Sequence, residues 1–194
     1  PDELSAVLLA WLVEDSDPKL LARARGYLDQ FSRAEGDSWT RPRMLKAIAH
    51  AYDWLHDTLS DAERSRLAAR MSELVAEMRK QYRHSDYNNH VYLEYGPILY
   101  AGLALAGDGI ADEFAQKALG DSERLLKDHF IPTVNQLSGG RQGGWHESMS
   151  YWSFFAYELA HQLESWRTAT GEDLFAACQG LAGAANWLAY CTRP

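Results

Sequence analysis

The sequence is poor in cysteine. Only Cys178 and Cys191 occur among its 194 residues. Their spacing fits neither a zinc knuckle nor a disulfide framework, and buried or incidental thiols are the simpler reading. Basic residues are also in deficit: 19 Lys and Arg stand against 27 Asp and Glu, for a formal net charge of -8. A nucleic acid or an anionic membrane is a poor partner for such a chain, because neutralising phosphates needs a basic face. The most apolar run, Ile98 to Ala106, is too short to span a bilayer. The N-terminus, Pro1-Asp2-Glu3, carries no signal-like apolar stretch and no initiator Met, so an excised or processed chain is expected. Strand signals are nearly missing: there is no sustained alternation and no hairpin turn set between alternating runs.

What is present is a globular core with helical periodicity. Hydrophobic residues make up 46% of the chain, with 7 Trp and 10 Tyr, which rules out a disordered tail. Leu67, Met71, Leu74, Val75 and Met78 form one helical stripe; Met44, Leu45, Ile48, Tyr52 and Leu55 form a second. Leu174, Phe175, Cys178, Leu181 and Ala182 form a third. Start and stop signals agree with these stripes. Asp17-Pro18 reads as an N-cap with Pro in the first turn, and Ser60-Asp61-Ala62-Glu63 as a capping box. Gly171 can end one helix before Glu172 begins the next. The patterns predict helices near 3–14, 18–31, 43–57, 61–81, 90–106, 111–129, 147–169 and 172–190. The expected fold is all-α, a single domain of antiparallel helical hairpins.

The predicted connections are unequal. Short links fall around Ser16, Thr58, Asp108 and Gly171, whereas Phe31 to Pro42, Tyr82 to Asn89 and Ile131 to His146 are long. With helices alternating in direction, the three long links share one rim. Loops on a rigid scaffold are where function concentrates.

The link before the fifth predicted helix reads Arg83-His84-Ser85-Asp86-Tyr87-Asn88-Asn89-His90. Asn88 or Asn89 is a good N-cap. An imidazole and two amides at a helix N-terminus also suit an anion such as a carboxylate. The link before the seventh contains Gly139, Gly140, Arg141, Gln142, Gly143, Gly144, Trp145, His146, Glu147 and, further on, Tyr151 and Trp152. Its four glycines allow a ligand to approach the backbone, and Arg141, His146, Glu147 and Tyr151 supply acid–base groups. Core packing explains Trp145 and Trp152 as readily as ligand stacking does. Glu147 also suits a first helical turn, and Tyr151 a packed phenol with a bonded hydroxyl. Trp39, Arg41 and Arg43 before the third helix can stack on a sugar or pair with an acidic group, or simply be solvated. Gly96 and Gly102 read as close helix contacts.

Asn88-Asn89-His90, followed about 60 residues later by Gly143-Gly144-Trp145-His146-Glu147-Ser148-Met149-Ser150-Tyr151, resembles the heparinase II/III-like polysaccharide lyases, including related alginate lyases. Ala51-Tyr52-Asp53-Trp54-Leu55, Leu59-Ser60 and Glu63-Arg64 add to the likeness. The resemblance implies an incomplete α/α toroid and cleavage of uronic-acid-containing polysaccharide by β-elimination. It implies that Asn89 binds the uronate carboxylate and that His90 helps neutralise it or removes a proton. It implies that Tyr151 protonates the leaving oxygen and, in some members, also takes the C5 proton. Asn88, Trp39, Arg83, His84, Arg141, Trp145, His146 and Glu147 are the expected substrate-binding residues. No cofactor is expected in this chain. Family members continue into a β-sandwich that often holds a metal, and no β-rich segment follows here. The expected partners are an acidic polysaccharide and that missing β-sandwich, and the expected location is periplasmic or secreted.

The chemistry suits these residue types. A proton α to a carboxylate is hard to remove unless the developing enolate-like charge is stabilised, as donors from Asn89 and His90 would do. A phenol titrates near 10 in its ordinary state, and a positive neighbour such as Arg141 or His146 would lower that value and make the phenolate available as a base. Two other readings use the same residues. An α/α-barrel glycoside hydrolase would need flanking carboxylates, with Asp86 and Glu147 as the best pair. A non-catalytic helical module would only bind glycan.

Overall fold

The helices start where the cap residues place them. In the computed structural model, Asp17 accepts a hydrogen bond from the Lys19 amide at 2.8 Å and Pro18 opens the second helix. Ser60 and Glu63 exchange side-chain-to-backbone bonds in the expected capping box. The structure describes residues 2–14, 17–81 and 87–192, and every regular element among them is helical. The chain is all-α. In order the helices are α1 (Asp2–Val13), α2 (Pro18–Arg33), α3 (Thr40–Trp54), α4 (Asp61–Arg79) and α5 (Asn89–Tyr95). They continue as α6 (Pro97–Leu105), α7 (Asp112–Arg124), α8 (Ile131–Leu137), α9 (Met149–Thr170) and α10 (Gln179–Cys191). Among the described residues no helix is long and apolar enough to cross a membrane.

Three boundaries differ from the periodicity. The single helix expected over 90–106 is two, because Pro97 has no N–H to give to Leu93 and its ring crowds that turn. Ile131 to Leu137, expected as link, is the helix α8. It follows a π turn at Leu125–Phe130, which widens the backbone ahead of Pro132. Residues 172–178, expected as helix, are irregular. Gly171 ends α9 in a left-handed conformation, and tertiary bonds hold the following segment open. Glu172 takes the indole N–H of Trp166 at 2.9 Å and the ammonium of Lys127 at 2.8 Å. Asn135 donates to the Ala177 carbonyl and accepts from the Gly180 amide.

The chain divides into two compact units: Pro1–Tyr82 with Tyr100–Leu119, and Arg83–Leu99 with Gly120–Pro194. In the first, α1 packs on α2 and α3, and α3 on α4. Leu4, Leu8, Leu45, Ile48, Tyr52, Leu55, Leu67 and Met71 are fully buried there. Each such side chain gives about 1.5–3 kcal/mol on leaving water. The same unit holds a charge cluster around the buried Asp108 carboxylate. Asp108 accepts hydrogen bonds from Tyr52, from His56 at 2.9 Å and from Arg64 at 2.9 Å. Arg64 also pairs with Asp61 at 2.6 Å. Burial pushes the Asp108 carboxyl up, but bonds from Tyr52 and His56 and the charge of Arg64 outweigh it and hold it below its ordinary value. Burial and the Asp108 bond push the Tyr52 phenol far up. The stretch from Ala51 to Arg64, read in the sequence as part of a family likeness, is thus largely scaffold here.

In the second unit α5 packs on α9, and α10 packs on α8, on α9 and on the short 3₁₀ turn Gly140–Gln142. Its core is aromatic. Tyr92 lies 4.7 Å from Phe130 and 5.5 Å from Phe155, centre to centre. Burial pushes the Tyr92 phenol far up, so it stays neutral and structural.

Candidate functional site

The two stretches singled out in the sequence meet in the second unit. Glu147 Oε2 accepts the backbone N–H of Asn89 at 2.6 Å and the indole N–H of Trp145 at 3.0 Å. The first bond links residues 58 positions apart. It fastens the N-terminus of α5 to the loop that leads into α9.

At the start of α5, Asn88 is the cap: its side chain accepts the His90 amide at 3.1 Å. Asn89 follows and is 3% exposed, and its amide oxygen is buried without a hydrogen-bond partner among the described residues. Such an orphan costs about 1–3 kcal/mol. His90 is half-buried, with Nδ1 3.4 Å from Glu94. The anion position at this N-terminus, expected to receive a ligand carboxylate, is filled by the chain's own Glu147. With Asn88 on the next amide, the first two N–H donors are occupied. What α5 still offers a ligand is side chains, not its dipole end.

The glycine-rich loop is likewise spent on packing. A Cβ on Gly143 would overlap the backbone of Gly183 in α10, and one on Gly183 would overlap the Arg141 carbonyl. A Cβ on Gly180 would strike Ser138 and Val134. The close approach these glycines permit is that of α10, not of a ligand. Trp152 closes the loop by donating to the Gly143 carbonyl at 3.1 Å. Trp145, expected on the substrate, is 5% exposed and stacks on Phe155 at 3.9 Å. Its ring is core, and its N–H belongs to Glu147. Glu147 itself, expected on the substrate, holds two internal donors on its Oε2. Gln162 was not singled out in the sequence, yet it is buried in α9 and donates to the Tyr92 carbonyl at 3.0 Å. Gly96 is glycine because Gln162 occupies the space of its Cβ.

Other expected residues face outward. Tyr151, in the first turn of α9, is 49% exposed and makes no hydrogen bond among the described residues. His146 is exposed with its ring 4.7 Å from Trp145, and Arg141 is exposed on the 3₁₀ turn. No bond joins either of them to Tyr151 among the described residues. Trp39 is exposed in the first unit, beyond an Asp37 side chain that caps the turn. Arg83, His84 and Asp86 lie outside the described residues.

Sequence reading missed the aromatic exposure around this cluster. Tyr87 beside Asn88 is exposed, as are Phe154 and Tyr157, three and six residues beyond Tyr151. Their spacing on the polar side of α9 was the available signal. Among the described residues no His, Cys, Asp and Glu group is arranged to hold a metal ion. The chain matches no family model and no curated protein.

Proposed function

We propose that this chain is the helical part of a polysaccharide lyase that cleaves a uronate polymer by β-elimination. The observation that carries the reading is the Glu147–Asn89 bond. It brings the amide–imidazole pair to the stretch that bears Tyr151. Asn89 donates to the uronate carboxylate and stabilises the charge that develops as the His90 imidazole takes the α proton. The electron pair of that C–H bond becomes a new C=C bond, the bond from the β carbon to the glycosidic oxygen breaks, and Tyr151 protonates that oxygen. An exposed phenol with no hydrogen-bond partner among the described residues is available for that step. Exposed Phe154 and Tyr157 offer further aromatic faces for sugar rings.

In this reading the helices belong to an α/α toroid that works with a β-sandwich domain of the parent protein, in the periplasm or outside the cell. The experiment is to offer alginate, heparan sulfate, chondroitin and hyaluronate to the protein and follow ultraviolet absorbance of the products. A lyase yields an absorbing unsaturated uronate. New reducing ends without absorbance would instead mean a hydrolase, and binding without cleavage a glycan-binding module.

A further inference from the structure

Ser148 is the only non-glycine residue among those described with a positive φ: its φ is 92° and its ψ 170°. That region is held almost exclusively by glycine and costs about 1–3 kcal/mol for another residue. Ser148 is the N-cap of α9, yet its side chain makes no capping bond. Nothing in its own chemistry accounts for the conformation. Its neighbour does. Glu147 immediately precedes it, and both donors to Glu147 come from buried residues, Asn89 and Trp145. Either donor left unpartnered would be costly. Glu147 makes both bonds from the position directly before the positive-φ residue that opens α9.

We infer that Glu147 is the positioning residue of the site: its carboxylate clamps the Asn89 backbone to the loop before α9 and so sets the distance from Asn89 and His90 to Tyr151. The catalytic consequence rests on the lyase reading above; the clamp does not. Glu147 touches no reacting atom. It acts by holding three other residues in register, and a misplacement of about 1 Å in such a site costs on the order of 10²-fold in rate. The strained turn at Ser148 is maintained by the two bonds of Glu147.

The test uses Glu147→Ala, Glu147→Gln and Ser148→Gly in the whole chain, with two readouts. The first is hydrogen exchange at the Asn89 amide. Exchange should be slow in the parent, at least about tenfold faster in Glu147→Ala, and intermediate in Glu147→Gln, which keeps an acceptor oxygen. The second is turnover of alginate, or of whichever tested polymer the parent cleaves. Turnover should fall about 10- to 100-fold in Glu147→Ala with KM little changed, and Glu147→Gln should restore part of it. Ser148→Gly, which adopts the turn freely, should keep both the slow exchange and the turnover. Unchanged Asn89 exchange in a folded Glu147→Ala protein overturns the clamp. So does a Ser148→Gly protein as impaired as Glu147→Ala. A parent that cleaves no polymer defeats the lyase reading, and the exchange data still decide the clamp.

Discussion

In the first unit Asp108 reaches Tyr52, His56 and Arg64. In the second, Asn89 is buried as deeply, and its amide oxygen reaches nothing among the described residues. The Asp108 carboxylate is met by three side chains, although Arg64 Nε beside it is buried without a partner among the described residues, and the positive φ values near it belong to two glycines, Gly107 and Gly109, that adopt them freely. The α5–α9 cluster leaves an acceptor orphaned, a phenol unbonded and a serine in a glycine conformation. Unpartnered buried atoms occur in both units; what sets the second apart is that an orphaned amide, a positive-φ serine and an exposed phenol fall in the same two stretches of sequence.

The sharpest way to break the contrast is to exchange the expected losses. Asp108→Ala leaves Arg64 and His56 without their shared carboxylate. Arg64 and His56 keep contact with water, which limits the loss to about 3 kcal/mol at most in a urea titration. A loss below about 1 kcal/mol would show the cluster is not what holds that loop to α3 and α4. Asn89→Ala should do the reverse. It removes an unsatisfied group, so stability should stay within about 1 kcal/mol of the parent. Turnover of the cleaved polymer should fall about 10²–10³-fold.

A smaller loss sharpens the reading of the glycine loop. Gly183→Ala pushes a methyl group into the Arg141 carbonyl and should cost about 1–3 kcal/mol by overpacking. If Gly183→Ala melts with the parent, the loop has room and a ligand reading of its glycines returns.

The smallest effect is a pH dependence of the Asp108 cluster. Bonds to Asp108 and then Asp57 hold the His56 imidazole above its ordinary 6.5. Its contribution is therefore complete below 6.5 and is lost as pH rises through the folded value. Asp108 lies below its ordinary 3.8, so its contribution is complete above 3.8 and is lost as pH falls through the folded value. Both act together between those limits. His56 is partly exposed, so solvent screening keeps its share small. The urea midpoint of the parent should decline from about pH 6 to about pH 8, and His56→Gln should flatten that decline. An equal decline in both proteins would remove His56 from the cluster's energetics.

Much of the fold was legible in local signals. Asp17-Pro18, the Ser60–Glu63 box and Gly171 mark real helix ends because each satisfies donors or acceptors within a few residues. The errors lie where distant residues decide. Residues 172–178 stay out of helix through Trp166, Lys127 and Asn135, none of which periodicity can sense. The site divided the same way. Residue types and spacing paired the Asn89 and Tyr151 stretches. They could not show that Glu147 would occupy the helix terminus offered to a substrate, or that Gly143 would receive α10.

The central claim is that the phenol of Tyr151 moves a proton in cleavage. Tyr151→Phe keeps the ring and removes only a hydroxyl that has no hydrogen-bond partner among the described residues. Measured side by side with the parent, it should bind the cleaved polymer with equal affinity and melt at the same temperature. Its formation of unsaturated uronate should fall by about 10²–10⁴-fold. Equal binding with undiminished product would contradict the account.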